Sequence, residues 1–148
     1  MEYSVLMSVY YKENPQWLEQ SIESMLRQTK CTNDFVLVED GSLTEKLEDI
    51  IKKYEKKYTD VFNVIRLERN LGLGLALAEG IKHCKNEFVI RMDSDDYSVP
   101  ERCEKLLNKM KENPSLAIIG SYEAEFEENI DNIVAIHRVP EKSEAVYE

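Results

Sequence analysis

Asp93-Ser94-Asp95-Asp96 packs three carboxylates into four consecutive residues, directly after the apolar run Glu87-Phe88-Val89-Ile90-Arg91-Met92. Neighbouring carboxylates repel, and loss of water makes the repulsion worse. Two situations tolerate such a cluster: a solvated turn with helix-capping aspartates, or a cation site. Mn2+ or Mg2+ takes hard oxygen ligands and keeps few protein carboxylates beside a substrate phosphate. Asp-x-Asp suits that chemistry, because alternate residues can point the same way while the turn leaves coordination positions open. An EF-hand does not fit, because its sixth position requires glycine and counting from Asp93 puts Ser98 there.

A second segment invites a phosphate reading. Asn70-Leu71-Gly72-Leu73-Gly74-Leu75-Ala76-Leu77 follows an apolar run and opens a helical pattern. A dinucleotide fingerprint breaks at Leu77, where Gly or Ala is needed, and no Gly-Lys-Ser or Gly-Lys-Thr forms a P-loop. Two roles stay open for Gly72 and Gly74: a tight turn with close helix packing, or direct approach to a bound donor.

These groups need elements to hold them, and the chain repeats one unit: an apolar strand, a polar turn, an amphipathic helix. The strands are Ser4-Val5-Leu6-Met7-Ser8-Val9-Tyr10, Phe35-Val36-Leu37-Val38, Val61-Phe62-Asn63-Val64-Ile65-Arg66-Leu67, and the run before Asp93. Asn14-Pro15 starts the first helix, with Asn14 as cap and Pro15 at its first position, and Leu18, Ile22, Met25 and Leu26 share a face. Capping boxes at Ser42-Leu43-Thr44-Glu45 and Ser98-Val99-Pro100-Glu101 predict the starts of two more. The first leads a face of Leu43, Leu47, Ile50, Ile51 and Tyr54; the second leads one of Val99, Cys103, Leu106, Leu107 and Met110, stopped by Asn113-Pro114. The helix after the glycines places Leu73, Leu77, Ile81 and Cys84 together. Ala117-Ile118-Ile119-Gly120 reads as a fifth strand, Ile133-Val134-Ala135-Ile136 as a sixth, and Glu123, Glu125 and Glu127 alternate on a solvated strand face.

Strands alternating with helices predict an α/β, three-layer sandwich: a mostly parallel central sheet with helices on both faces. Ligands of such sheets lie beyond the C-terminal strand ends. Three polar clusters collect there, at 8–13, 39–42 and 93–96. That convergence is the argument for a site. His83 and His137 are isolated and read as surface residues, and Trp17 reads as a core or helix-start packing residue.

Bulk composition narrows the classes. The 148 residues are enough for one domain with a real core, and 43% are apolar. A net charge of -10 argues against nucleic acid, which needs clustered Lys and Arg. It does not forbid a small anion bound through a metal and backbone amides. Cys31, Cys84 and Cys103 are odd in number and lack Cys-x-x-Cys spacing, which fits a reduced, cytoplasmic setting. No apolar run reaches the length of a membrane span, and the N-terminus lacks the pattern of a signal peptide.

Taken in order, these segments resemble family 2 glycosyltransferases, which have the GT-A fold. The opening strand is similar to the family's Ser-Val-x-x-Pro-Thr-Tyr. Val38-Glu39-Asp40-Gly41-Ser42 looks like its Val-Asp-Asp-Gly-Ser. Asn70, Gly72, Ala76 and Gly80 match Asn-x-Gly-x-x-x-Ala-x-x-x-Gly, and Asp93-Ser94-Asp95-Asp96 with Pro100 looks like its Asp-x-Asp-Asp motif. Ser8, Tyr11, Leu77 and Ala78 depart from the pattern. The segment from Val9 to Pro15 and Arg91-Met92-Asp93 look like bacterial surface-polysaccharide members.

The resemblance implies roles. Ser8 and Tyr10 would face the nucleotide base, and Asp40 would accept a hydrogen bond from uracil N3–H. Glu13 would reach the ribose, and Asp93 would lie near ribose and diphosphate. Asn70, Gly74 and Ser94 complete the implied nucleotide-binding set. Asp95, with Asp93, would hold Mn2+ or Mg2+, and Asp96 would approach the donor sugar. The implied reaction is inverting transfer of a sugar from a UDP-sugar to a saccharide or lipid-linked acceptor, with the protein cytoplasmic or peripheral at the inner membrane face. The family's base and most of its acceptor site lie well downstream of the acidic motif. The expectation is therefore one nucleotide-sugar-binding domain over 1–148 that ends before the acceptor-binding part and carries no identifiable catalytic base. Rival readings are a nucleotidyltransferase, disfavoured because Tyr10-Tyr11-Lys12-Glu13-Asn14 has no glycine, a non-catalytic interaction domain, and a dinucleotide-binding domain.

Overall fold

The computed structural model describes residues 1–140. Their contacts fall into two compact units, residues 1–104 and from 105 onward.

The first unit is built on a four-stranded parallel sheet. Its strands are β1 (Tyr3–Val9), β2 (Asp34–Glu39), β3 (Phe62–Arg66) and β4 (Phe88–Asp93), in the order β3-β2-β1-β4. The helices are α1 (Pro15–Leu26), α2 (Glu45–Lys57) and α3 (Leu73–Gly80), followed by the start of α4 (Arg102–Glu112). Successive side chains of a strand point to opposite faces. Val5, Phe35 and Phe62 are register partners on one face, where Tyr54 of α2 meets the Phe62 ring at 6.2 Å. Leu6, Val36 and Val38 lie on the other, packed with Ala76 of α3. Helices thus cover both faces, as an α/β sandwich requires.

Local chemistry explains the starts of the helices. Asn14 caps α1, its Oδ1 accepting the N–H of Gln16 at 2.8 Å, with Pro15 at the first position. α2 is capped by Thr44, not Ser42, because Thr44 Oγ1 accepts Leu47 N–H at 3.5 Å. The chain leaves β2 through Gly41 at φ +84, and the helix begins only at Glu45, three residues after Ser42. Ser98 does not cap α4 either. It is buried and bonded to α1, and the helix starts at Arg102.

α3 presents Ala76 and Gly80 to the sheet, while Leu73 and Ile81 are half exposed. The helix sits so close that a Cβ on Gly80 would lie 2.6 Å from both Leu6 Cδ1 and Val38 Cγ2. Small residues win the inward face because they permit this approach; of the face read from the sequence, Leu77 and Cys84 pack at its border while Leu73 and Ile81 turn outward. Val99 is likewise exposed, before the helix it was expected to serve.

At the opposite end of the sheet, buried Asp34 laces the strand starts together. Its Oδ2 accepts from Ser4 Oγ at 2.6 Å and from Lys85 N–H at 2.8 Å. Asn86 N–H donates to the same Ser4 hydroxyl at 3.1 Å.

The second unit carries an antiparallel hairpin, β5 (Glu123–Phe126) with β6 (Ile133–His137). The expected sixth strand is thus present, paired with the glutamate-bearing segment, of which Glu127 falls just beyond the strand. Residues 117–120 form no strand. Ile118 is 87% exposed, and among the described residues nothing pairs with this run. Apolar composition alone does not make a strand, because its backbone groups still need partners.

Candidate functional site

The strand order reverses between β1 and β4. The chain moves from β1 outward to β2 and β3, then crosses back to place β4 on β1's other side. The connections on either side of that boundary run to opposite faces of the sheet, which leaves a crevice at the C-terminal strand ends. Ser8 of β1 and Asp93 of β4 are register partners at its floor.

A cavity of about 320 Å³ occupies this position. Its wall holds Ser8, Tyr10, Glu13, Asp40, Asn70, Asp93, Ser94 and Asp95, so one site gathers sequence-distant residues from all three polar clusters. Gly74 and Asp96 do not line it. Asp96 follows on the exposed side of the turn, and a Cβ on Gly74 would meet nothing within 4 Å. Val9, Gly72 and Leu73 complete the wall. Leu73 was misplaced by its helical spacing, which assigned it to the core.

Asp40, 3% exposed, is held by the turn that opens α3. Its Oδ1 accepts Leu71 N–H at 2.6 Å and its Oδ2 accepts Gly72 N–H at 2.9 Å. Asn70 Nδ2 donates to the Asp40 carbonyl at 3.2 Å. Gly41 allows this contact, since its own Cβ would fall 2.6 Å from Asn70 N. An ionised carboxylate offers about four lone-pair sites, so Asp40 retains acceptor capacity toward the cavity.

Glu13 joins two of the strand-end loops. Its Oε1 accepts Asn14 N–H at 2.8 Å, and its Oε2 accepts the hydroxyl of Ser94 in a short hydrogen bond. Nothing in sequence spacing announced that pairing, because the residues come from loops after different strands. Arg91 forms a close ion pair with Asp93 Oδ1. Beside the site, burial pushes the Glu39 carboxyl up, and Arg66 Nε, 3.3 Å away, opposes that shift.

The electrostatics of the wall are one-sided. It carries four carboxylates, Glu13, Asp40, Asp93 and Asp95, and no Lys or Arg. Among the described residues no three His, Cys, Asp or Glu side chains form a metal cage. Asp93 and Asp95 instead offer hard oxygens on one turn with positions left over. That donor set fits Mg2+ or Mn2+ shared with a ligand phosphate.

The remaining candidates lie on surfaces. His83 and His137 stand 3.7 and 3.2 Å from Glu79 and Glu125. Trp17 is 53% exposed at the start of α1, so it is not a core residue. Its position follows from the N-terminal turn, whose inward side begins at Leu18.

The model of glycosyl transferase family 2 matches residues 4–146. An uncharacterized glycosyltransferase of Haemophilus influenzae is 42% identical over 99% of this chain and 54% of its own length. The Escherichia coli UDP-Gal:alpha-D-GlcNAc-diphosphoundecaprenol beta-1,3-galactosyltransferase is 33% identical over 96% of this chain and 51% of that protein. The chain thus spans about half the length of these curated relatives. Among solved structures, Staphylococcus aureus TarS 1-349 in complex with UDP-GlcNAc superposes with a TM-score of 0.67 at 26% identity, covering 86% of this chain and 39% of that one.

Proposed function

The chain belongs to glycosyl transferase family 2, and on that premise we propose that its strand-end cavity binds a UDP-sugar together with Mn2+ or Mg2+. One observation carries the metal-dependent form of this reading: the wall is carboxylate-rich and has no basic side chain. A diphosphate would be repelled there without an intervening cation, whose charge would dominate the local field. The TarS complex with UDP-GlcNAc and the E. coli relative's UDP-Gal donor support a uridine nucleotide.

Within this reading, Ser8, Tyr10 and Asp40 receive the base. Asp40 spends two acceptor positions on Leu71 and Gly72 and offers another to uracil N3–H. Glu13 and Ser94 close the ribose side, Asn70 belongs to the bordering turn and Gly74 to the start of α3, and Asp96 continues toward the sugar. Asp93 and Asp95 would hold the metal, and a bound ion would neutralise charge growing on the departing diphosphate. The acceptor hydroxyl, from a saccharide or lipid-linked substrate, attacks with inversion while a carboxylate base takes its proton. No residue of this chain is assigned as that base. The whole protein works in the cytoplasm, peripheral to the membrane, and no helix among the described residues is long and apolar enough to cross one.

Calorimetry with UDP, with and without Mn2+, tests the site. Binding that strengthens with metal is the expected result. No binding with metal present overturns the reading.

A further inference from the structure

We propose that Ser24 and Gln28 are positioning residues that fix the acidic turn, and so set where Asp95 stands in the cavity wall. The inference rests on the donor-site reading above and adds a mechanical basis for it.

Between the end of β4 at Asp93 and the start of α4 at Arg102, Asp96 N–H reaches the Asp93 carbonyl at a long 3.4 Å, and Arg102 N–H bonds the Val99 carbonyl at 3.1 Å. The turn is held from outside: Glu13 accepts the Ser94 hydroxyl, and the rest of the grip comes from α1 and from Gln28 just past its end. Ser21 Oγ donates to the Asp93 carbonyl at 2.7 Å. Ser24 Oγ accepts Ser98 N–H at 3.1 Å. Gln28 Nε2 donates to Ser98 Oγ at 3.1 Å and to the Val99 carbonyl at 2.9 Å, while its Oε1 accepts Cys103 N–H at 2.9 Å. The backbone is therefore gripped at Asp93 and at Ser98, on either side of Asp95.

These three side chains are buried: Ser21 fully, Gln28 at 2% and Ser24 at 5% exposure. Ser21 and Ser24 share a face of α1 beside the apolar Leu18, Ile22 and Met25, and Gln28 follows just past the helix end. Buried polar groups cost free energy unless every partner is supplied, and apolar side chains would stabilise the helix contact as well. What apolar packing does not supply is direction. Hydrogen bonds to named backbone atoms hold a loop in one place, and metal ligation needs that placement.

The test uses the full chain with Ser24→Ala and Gln28→Ala. Hydrogen exchange without ligand reports the mechanical step: exchange over 93–100 should quicken in both variants while β1 and β2 stay protected. UDP affinity reports the functional step. In Mn2+ it should weaken roughly tenfold or more, whereas in EDTA it should match the parent, because the base-facing residues are untouched. Ser24→Thr, which keeps the hydroxyl, should restore the parent values. A variant that is less stable yet keeps its metal-dependent affinity overturns positioning and leaves the donor site standing. Unchanged exchange over 93–100 also overturns it. If the parent chain fails to bind UDP with Mn2+, the donor-site reading itself falls. Should Gln28→Ala not fold, Ser24→Ala and its threonine rescue decide the matter.

Discussion

The carboxylate of Asp40 accepts the backbone N–H of Gly72 at 2.9 Å, tying the end of β2 to the turn that opens α3. Leu71 N–H is bound by the other carboxylate oxygen. A residue of the proposed base pocket is therefore also a structural clamp. Asp40→Asn puts an NH2 group against backbone donors and should cost about 2 kcal/mol of stability as well as weakening uridine binding. Urea unfolding and UDP titration on the same variant separate the two effects. Parent-like UDP affinity would remove Asp40 from the pocket.

Asp95→Asn should leave the fold unchanged, since the side chain is exposed on the turn. The thermal shift produced by UDP with Mn2+ should fall to that of UDP alone, with metal affinity down by about tenfold or more. A metal-dependent shift that survives the change contradicts the assignment.

Two glycines of the cavity region should respond in opposite ways. Gly41→Ala combines φ +84 with a Cβ 2.6 Å from Asn70 N, and should cost about 2–3 kcal/mol. Gly74→Ala meets open space inside α3 and should gain about 0.5–1 kcal/mol through a smaller loss of backbone entropy. Urea midpoints of the two variants check this. A destabilised Gly74→Ala would show that the α3 start needs glycine.

Glu39 should give stability a measurable pH dependence. Burial raises its carboxyl above the ordinary value near 4.5; Arg66 and Lys52 oppose the rise, while Glu48 and Glu55 add to it. The folded chain therefore holds this proton more tightly than the unfolded chain does. Its contribution is fully present below about pH 4.5 and is lost as pH rises through the higher folded value. Glu39→Gln removes that dependence, so its stability relative to the parent should increase from pH 4.5 to 7. A constant difference across that range would count against the shift.

Residues whose environment is set by their immediate neighbours were legible in the sequence. Four apolar runs gave the parallel strands, Asn14-Pro15 gave a helix start, and the polar strand ends gave the cavity wall. What failed depended on partners distant along the chain. Ser98 has capping-box spacing, yet its hydroxyl and N–H are taken by Gln28 and Ser24. Leu73 has the period of a buried face, yet Ala76 and Gly80 are inside because the sheet comes too close for leucine. The Ser94–Glu13 contact needs two loops to meet. Residues 117–120 have a strand's composition without a ladder partner.

The pairing of β4 with β1 also constrains how the molecule is made. Ser4 and Asn86, bonded at 3.1 Å, are 82 positions apart along the chain. Contacts so distant in sequence form slowly, because a large loop must close before they contribute. On the ribosome, where synthesis proceeds from the N-terminus, β1 keeps one backbone edge unpaired until β4 has emerged. Ser8 and Asp93 meet only at that closing step, so the ligand cleft is assembled late and β1's waiting edge is a point where a nascent chain is open to mispairing.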